Sequence, residues 1–185
     1  LRLGLPDKRP IILFGAQRVF DKRKGLDLLI EAISKIKIDC TLVSFGEGEM
    51  NLDLGSHVKV VSLGTVTQEE QLALAYSAAD VFVCASREDN LPNTVAEALS
   101  CGTPCVAFAI NGLVDMIDHK INGWLASPYN TEDMAKGIHW VLENSGPKHL
   151  RQSAREKAIR EYDNSVVTAK YLQLYDELLI GKKHA

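Results

Sequence analysis

The chain has 185 residues, of which 46% are apolar and 24% charged, a balance that suits one soluble domain with a full hydrophobic core. A formal charge of −3 excludes a broad attraction to nucleic acid or to an anionic membrane surface. No apolar run reaches the ~20 residues of a transmembrane helix.

The opening Leu1-Arg2-Leu3-Gly4-Leu5-Pro6 is too short for a signal peptide and reads as a linker entering a domain. Residues 1–9 are therefore set apart as a linker remnant and residues 10–185 as the domain proper. Strand candidates recur at Ile11–Phe14, Cys40–Phe45, Val58–Leu63, Val81–Cys84 and Cys105–Phe108. These runs are continuously apolar rather than alternating, as strands are when helices cover both faces of a sheet. Helical patterns fall between most of them. Leu26, Leu29, Ile30, Ile33 and Ile36 form one apolar stripe. Thr67 with Glu70 predicts a capping box at the next helix start, and Asn130 with Asp133 predicts another. The tail from Leu150 carries one or two more helices, with Tyr171, Leu174, Tyr175 and Leu178 as the last stripe; it either packs on this domain or reaches another. The expected fold class is α/β: a Rossmann-like three-layer domain with a parallel sheet.

In such sheets ligands bind beyond the carboxyl ends of the strands. The first such loop, Gly15 to Gly25, holds Arg18, Lys22, Arg23 and Lys24. A diphosphate calls for partners of this kind, Lys as a point charge and Arg as a bidentate fork. Arg18 and Lys24 are the candidates, with Lys22 and Arg23 facing solvent; a merely solvated basic loop is the plainer alternative. The loop has neither the glycine series nor the Lys-Ser/Thr ending of a Walker motif. Gly46-Glu47-Gly48 follows the second strand as a tight turn or as a wall of a nucleotide pocket. Gly64 reads the same way, as an ordinary turn or as the point where the chain leaves the third strand beneath a flat base.

The segment after the fourth strand is the most informative. Asp89 and Glu97 have seven residues between them, with Asn90, Leu91, Pro92, Asn93 and Thr94 in the interval. Asp89 falls in the loop and Glu97 about one turn into a helix that starts near Asn93 or Thr94. Two carboxylates so placed can address two parts of an extended ligand, accepting hydrogen bonds from paired sugar hydroxyls. Pro92 keeps the helix from starting earlier, and the N–H groups of Asn93 and Thr94 then stand at its positive end, suited to a phosphate. Glu88 ranks behind Asp89. Thr94 and Glu97 also have capping-box spacing, so Glu97 has a purely structural alternative. Asn111-Gly112 is a further strand-end turn whose backbone could touch a sugar.

The cysteines, Cys40, Cys84, Cys101 and Cys105, fit no ligand spacing and read as core thiols, with a redox pair at Cys101 and Cys105 as a minor alternative. Histidines 57, 119, 139, 149 and 184 are scattered, and neither a metal site nor a Ser-His-Asp or Cys-His constellation is expected. Trp124 and Tyr129 are expected to be packing residues.

On Gly15 through Gly25, Gly46-Glu47-Gly48, Leu63-Gly64, Ala79-Asp80-Val81-Phe82-Val83, Asp89 through Gly102-Thr103-Pro104, Asn111-Gly112 and Asn122-Gly123, the chain resembles the carboxyl-terminal, donor-binding domain of a family 4 (group 1) glycosyltransferase of the GT-B fold. The resemblance implies that Glu97 binds the ribose hydroxyls of a nucleotide diphosphate sugar. It places Asp89, where the family usually has glutamate, against the transferred sugar. The diphosphate falls to Arg18 and Lys24, with Lys24 directly before Gly25 as the family pattern requires. Asn90-Leu91-Pro92-Asn93 replaces the family's usual glycine and aromatic residues. The implied reaction is retaining transfer of a sugar, a hexose by expectation, to a glycan or lipid-linked acceptor, as in polysaccharide biosynthesis. It needs no permanently bound cofactor, and the donor is a UDP-sugar or GDP-sugar. The amino-terminal GT-B domain would be missing, leaving this chain inactive alone. A cytoplasmic location is expected, with peripheral attachment to the inner membrane through that domain. The alternatives are a noncatalytic nucleotide-sugar-binding module and a UDP-sugar 2-epimerase-like enzyme. A dinucleotide dehydrogenase fits poorly, because Gly15 does not open a Gly-x-Gly-x-x-Gly series.

Overall fold

The computed structural model describes residues 9–144 and 148–181. All but the last of the residues read as a linker remnant, and residues 182–185, lie outside the described residues. Six strands form one parallel sheet: β1 (Ile11–Arg18), β2 (Cys40–Glu47), β3 (Val58–Ser62), β4 (Val81–Cys84), β5 (Cys105–Phe108) and β6 (Gly123–Ala126). Their order is β3-β2-β1-β4-β5-β6, so the winding reverses between β1 and β4. That reversal opens a crevice at the carboxyl ends of these two strands, the position at which doubly wound sheets take ligands.

Period-two alternation sends each strand's side chains into two cores. Ile12, Phe14, Val83, Val106 and Phe108 face α1 (Leu26–Ser34) and α5 (Thr131–Asn144) through Leu29, Ile33, Met134 and Ile138. Ile11, Leu13, Phe82, Cys105 and Ala107 face the other layer, where α2 (Glu69–Ala78), α3 (Asn93–Ser100) and α6 (Lys148–Tyr162) contribute Tyr76, Val95, Leu99, Ala154 and Ala158. The short α4 (Leu113–Met116) adds Leu113 and Met116 to the second core. This is the predicted three-layer α/β architecture.

Several details depart from the sequence reading. β1 runs on to Arg18, so Gly15 and Arg18 are strand residues rather than loop residues. Gly15 is required there because a Cβ would lie 1.9 Å from the Phe45 ring. β6 has no counterpart among the predicted strands. It is four residues long and begins on Gly123, whose missing side chain admits the Cys105 carbonyl. The Thr67–Glu70 capping box is not formed. α2 starts at Glu69 behind Gln68, so Thr67 lies one position too early to cap it. The Asn130 cap does form: its Oδ1 accepts from the N–H groups of Glu132 and Asp133 at 3.1 and 3.0 Å. Asp133 does not return that bond; its carboxylate accepts from Ser127 N, Ser127 Oγ and Trp124 Nε1.

The tail divides. α6 packs on the domain through Leu150, and Arg151 donates to the carbonyls of Ala79 and Ser77 at 2.9 and 2.8 Å. α7 (Asn164–Gly181) leaves Tyr171, Leu174, Tyr175 and Leu178 exposed. All four cysteines are free, and burial raises the pKa of every one of them.

Candidate functional site

The site is built where the β1 loop meets the β4 loop. Beyond β1, Asp21 caps a single 3-10 turn, Lys22–Lys24, by accepting from the Arg23 N–H at 2.9 Å. The Arg23 guanidinium folds back on Asp21 at 2.7 Å, and these hydrogen bonds lower the Asp21 pKa. Gly25 ends the turn in the left-handed region, φ 68°, where a Cβ would sit 1.9 Å from the Ala85 carbonyl oxygen. Only glycine allows the loop to lie this close to the end of β4.

That approach carries Lys24 across the crevice. Its Nζ is 2.7 Å from Asp89 Oδ2, with the two side chains 28% and 16% exposed. Ser86 Oγ donates to the same carboxylate oxygen at 3.4 Å. The loops are laced together beside this pair. The Arg87 N–H donates to the Arg23 carbonyl at 2.7 Å, and the Arg87 guanidinium reaches the Lys22 carbonyl at 2.9 Å. The same guanidinium grips both oxygens of Asp27 at 2.8 and 2.6 Å, and this hydrogen bonding lowers the Asp27 pKa. Tyr129 braces the far side, its hydroxyl donating to the Arg87 carbonyl at 3.1 Å and its ring tilted against Phe108.

The second wall is α3. Pro92 precedes it, and Val95 and Ala96 make the first intrahelical bonds back to the Pro92 carbonyl. The amides of Asn93 and Thr94 therefore stand at the helix start, ahead of that ladder. Asn90 and Leu91 are exposed along the approach. Gly112 seals the loop's underside: a Cβ there would be 1.7 Å from the Asn90 carbonyl oxygen, while the preceding Asn111 takes a left-handed φ of 44°.

Glu97 is not a cap. Its Oε2 accepts from the Tyr76 hydroxyl at 2.8 Å, and the carboxylate lines a cleft of about 470 Å³ with Leu72, Ala73, Asn93 and Ala96. The Glu88 side chain turns to solvent, which leaves Asp89 as the acid facing Lys24. Lys22 and Arg23 are exposed, as expected. Gly46 donates its N–H to the Gly64 carbonyl at 2.8 Å, which joins the ends of β2 and β3, and Gly64 has open space around its Cα at φ 66°. Arg18 lies elsewhere, 3.8 Å from Glu47 in an exposed pair beside Phe20 and Gly48. Lys24, not Arg18, meets the acidic loop.

The family model described as "Glycosyl transferases group 1" matches residues 2–161. The chain belongs to the group 1 glycosyltransferases. An uncharacterised glycosyltransferase of Methanocaldococcus jannaschii is 30% identical over 183 residues, 94% of this chain and 46% of that protein. The N,N'-diacetylbacillosaminyl-diphospho-undecaprenol alpha-1,3-N-acetylgalactosaminyltransferase of Campylobacter jejuni is 27% identical over 94% of this chain and 46% of its own length. Among solved structures, sucrose-phosphate synthase from Thermosynechococcus elongatus superposes with a TM-score of 0.82 at 27% identity, over 97% of this chain and 48% of that one. The chain thus spans about half the length of the curated relatives it matches, and its Rossmann-like fold is that of one half of a GT-B enzyme.

Three residues of this glycosyltransferase domain carry site geometry without a sequence signal of their own. Arg87 meets the β1 loop because Gly25 brings that loop onto β4, while Ser86 reaches Asp89 within the β4 loop itself. Tyr76 sits one helix away from Glu97 and reads in sequence as an ordinary core aromatic of α2. No helix among the described residues is long and apolar enough to cross a membrane.

Proposed function

We propose that this chain is the donor-binding, carboxyl-terminal half of a retaining glycosyltransferase that takes a nucleoside diphosphate sugar, UDP- or GDP-linked, at the β1/β4 switch point. The observation that carries the reading is the Lys24–Asp89 contact in that crevice, at 2.7 Å and beside the α3 amino terminus. A cation and a helix N-terminus supply what a diphosphate needs, and a neighbouring carboxylate supplies what sugar hydroxyls need.

These positions support the following roles. Lys24 and the amides of Asn93 and Thr94 hold the diphosphate and stabilise the charge that grows on it as the anomeric bond breaks. Arg18, once released from Glu47, adds to that field from the rim. Glu97 takes the ribose, and Asp89, leaving Lys24, takes the sugar and orients it for the acceptor. The backbone at Gly15, Gly46 and Gly64 walls the nucleoside, while Asn90, Leu91, Pro92, Asn111 and Gly112 wall the sugar. Residues 10–185 act as one nucleotide-sugar-binding domain. The other half of the enzyme brings the acceptor and covers the exposed face of α7. The acceptor is a glycan or lipid-linked sugar; the relative from Campylobacter jejuni is named for a diphospho-undecaprenol acceptor.

Calorimetry tests this directly. UDP or GDP should bind more tightly than its monophosphate, and Lys24→Ala should lose about 1.5–3 kcal/mol of diphosphate affinity. Equal affinity for mono- and diphosphate, unchanged in K24A, rejects the assignment. With the full-length enzyme, free nucleoside diphosphate and a glycosylated product mark transfer. An altered nucleotide sugar marks epimerisation, and binding without turnover marks a noncatalytic module.

A further inference from the structure

Glu97 projects from α3 into a cleft whose opposite wall is α2, and a side chain in such a place is free to turn unless something holds it. What holds it is Tyr76. The Tyr76 ring is 1% exposed, edge-on to both Phe45 and Phe82 with centroids 5.5 Å away in each case. Its own backbone is fixed as well: the buried Thr103 hydroxyl donates to the Tyr76 carbonyl at 2.6 Å. Burial and the adjacent carboxylate push the Tyr76 hydroxyl far above its ordinary pKa, so it remains protonated and can only donate to Glu97.

We infer that Tyr76 is a positioning residue for nucleoside recognition: by tying Glu97 Oε2 at 2.8 Å it fixes the rotamer that presents the other carboxylate oxygen to the ribose hydroxyls. The inference rests on the reading of Glu97 as the ribose ligand. The hydroxyl at the tip of Tyr76 donates to Glu97, while the ring belongs to the core. The turn after α3, through Thr103, and the carboxylate on α3, through Tyr76, are thereby tied to the same residue of α2. A carboxylate locked in this way loses less rotamer freedom when ligand arrives, and its remaining oxygen keeps its direction.

The test compares UDP with 2′-deoxy-UDP by calorimetry on the wild-type chain, Tyr76→Phe and Glu97→Gln. Phenylalanine keeps the ring and its packing and removes only the donor. The ribo-over-deoxy preference should fall about five- to tenfold in Y76F, the size expected for one ordinary hydrogen bond. It should fall at least as far in E97Q, and adding Y76F to E97Q should produce no further loss. A wild-type preference in Y76F, with the preference gone in E97Q, overturns the inference and leaves the ribose reading intact. A wild-type preference in E97Q overturns both. If Y76F weakens both nucleotides equally and lowers the melting temperature, the hydroxyl serves the fold alone and the inference is again rejected.

Discussion

In the proposed site the Lys24–Asp89 pair makes an unusual demand on ligand binding, because the cation proposed for the diphosphate is already paired. At 2.7 Å the attraction is about 1.5 kcal/mol at the dielectric of water and about 6 kcal/mol at an effective dielectric of 20. Desolvation and side-chain ordering offset most of that, and freely exposed pairs net only about 0.2–1 kcal/mol. This pair is mostly shielded, at 28% and 16% exposure, so a net near 1–1.5 kcal/mol is the reasonable figure. A diphosphate that claims Lys24 gives up this amount and also meets the negative charge of Asp89. Asp89→Asn keeps the side-chain shape and removes the competing charge. It should therefore tighten UDP binding about five- to tenfold, with the gain shrinking as salt rises. The same variant should gain less, or lose, with a UDP-sugar, because Asp89 then no longer serves the sugar hydroxyls. Isothermal titration at two salt concentrations reads both effects. UDP affinity in D89N equal to or weaker than wild type would mean that Asp89 does not compete for Lys24, and the exchange of partners proposed for the site would fall with it.

The lacing around that pair gives further expectations. Arg87→Met should cost about 0.2–1 kcal/mol at neutral pH, the scale of an exposed but bidentate pair, together with a severalfold loss of diphosphate affinity as the basic loop loosens. The folded-state pKa of Asp27 is lowered by Arg87, so that contribution is fully present above the ordinary carboxylate value and is lost as pH falls from there through the lowered folded-state value. Urea melts of wild type and variant should therefore differ at pH 7, and the gap should begin to close only as pH falls below about 4 and shrink further in stronger acid; a gap that stays constant throughout that descent would count against the pair. Gly25→Ala should lose about 1–3 kcal/mol from its left-handed backbone alone, and more from contact with the Ala85 carbonyl. A melting temperature within a degree of wild type would show that the two loops are not held this close. Asp133→Ala removes three donors' acceptor at the start of α5 and should cost about 1–3 kcal/mol by chemical denaturation; an unchanged midpoint would refute that accounting.

What the sequence made legible was whatever depends on periodicity or on chain order. The apolar runs at Ile11, Cys40, Val58, Val81 and Cys105 became strands, because uninterrupted apolar stretches have no stable place except between two helical layers. The loops at strand ends followed from that order, and the acid-rich segment after Val81–Cys84 had to lie at one of them. β6 escaped because four residues starting on glycine carry little strand signal, and its place in the sheet is fixed by the Cys105 carbonyl passing over Gly123. The capping box at Thr67 failed because a spacing of three is common and α2 starts at Glu69, one residue later than a Thr67 cap requires.

The site's partnerships were illegible for a different reason. Lys24 and Asp89 are 65 positions apart in the chain, and Tyr76 and Glu97 are 21 apart; no periodic pattern links either pair. Lys24 and Asp89 meet because glycines remove side chains where two backbones must pass, Gly25 over Ala85 and Gly112 over Asn90, whereas Tyr76 and Glu97 meet where α2 packs beside α3. The glycine contacts draw the β1 loop, the β4 loop and the β5 loop into one crevice, so the placement of the Lys24–Asp89 charges is a consequence of backbone approach. A substitution that leaves every charged residue in place but adds a methyl at Gly25 should therefore disturb the Lys24–Asp89 pair more than a conservative change at either partner, since it moves the whole loop that carries Lys24.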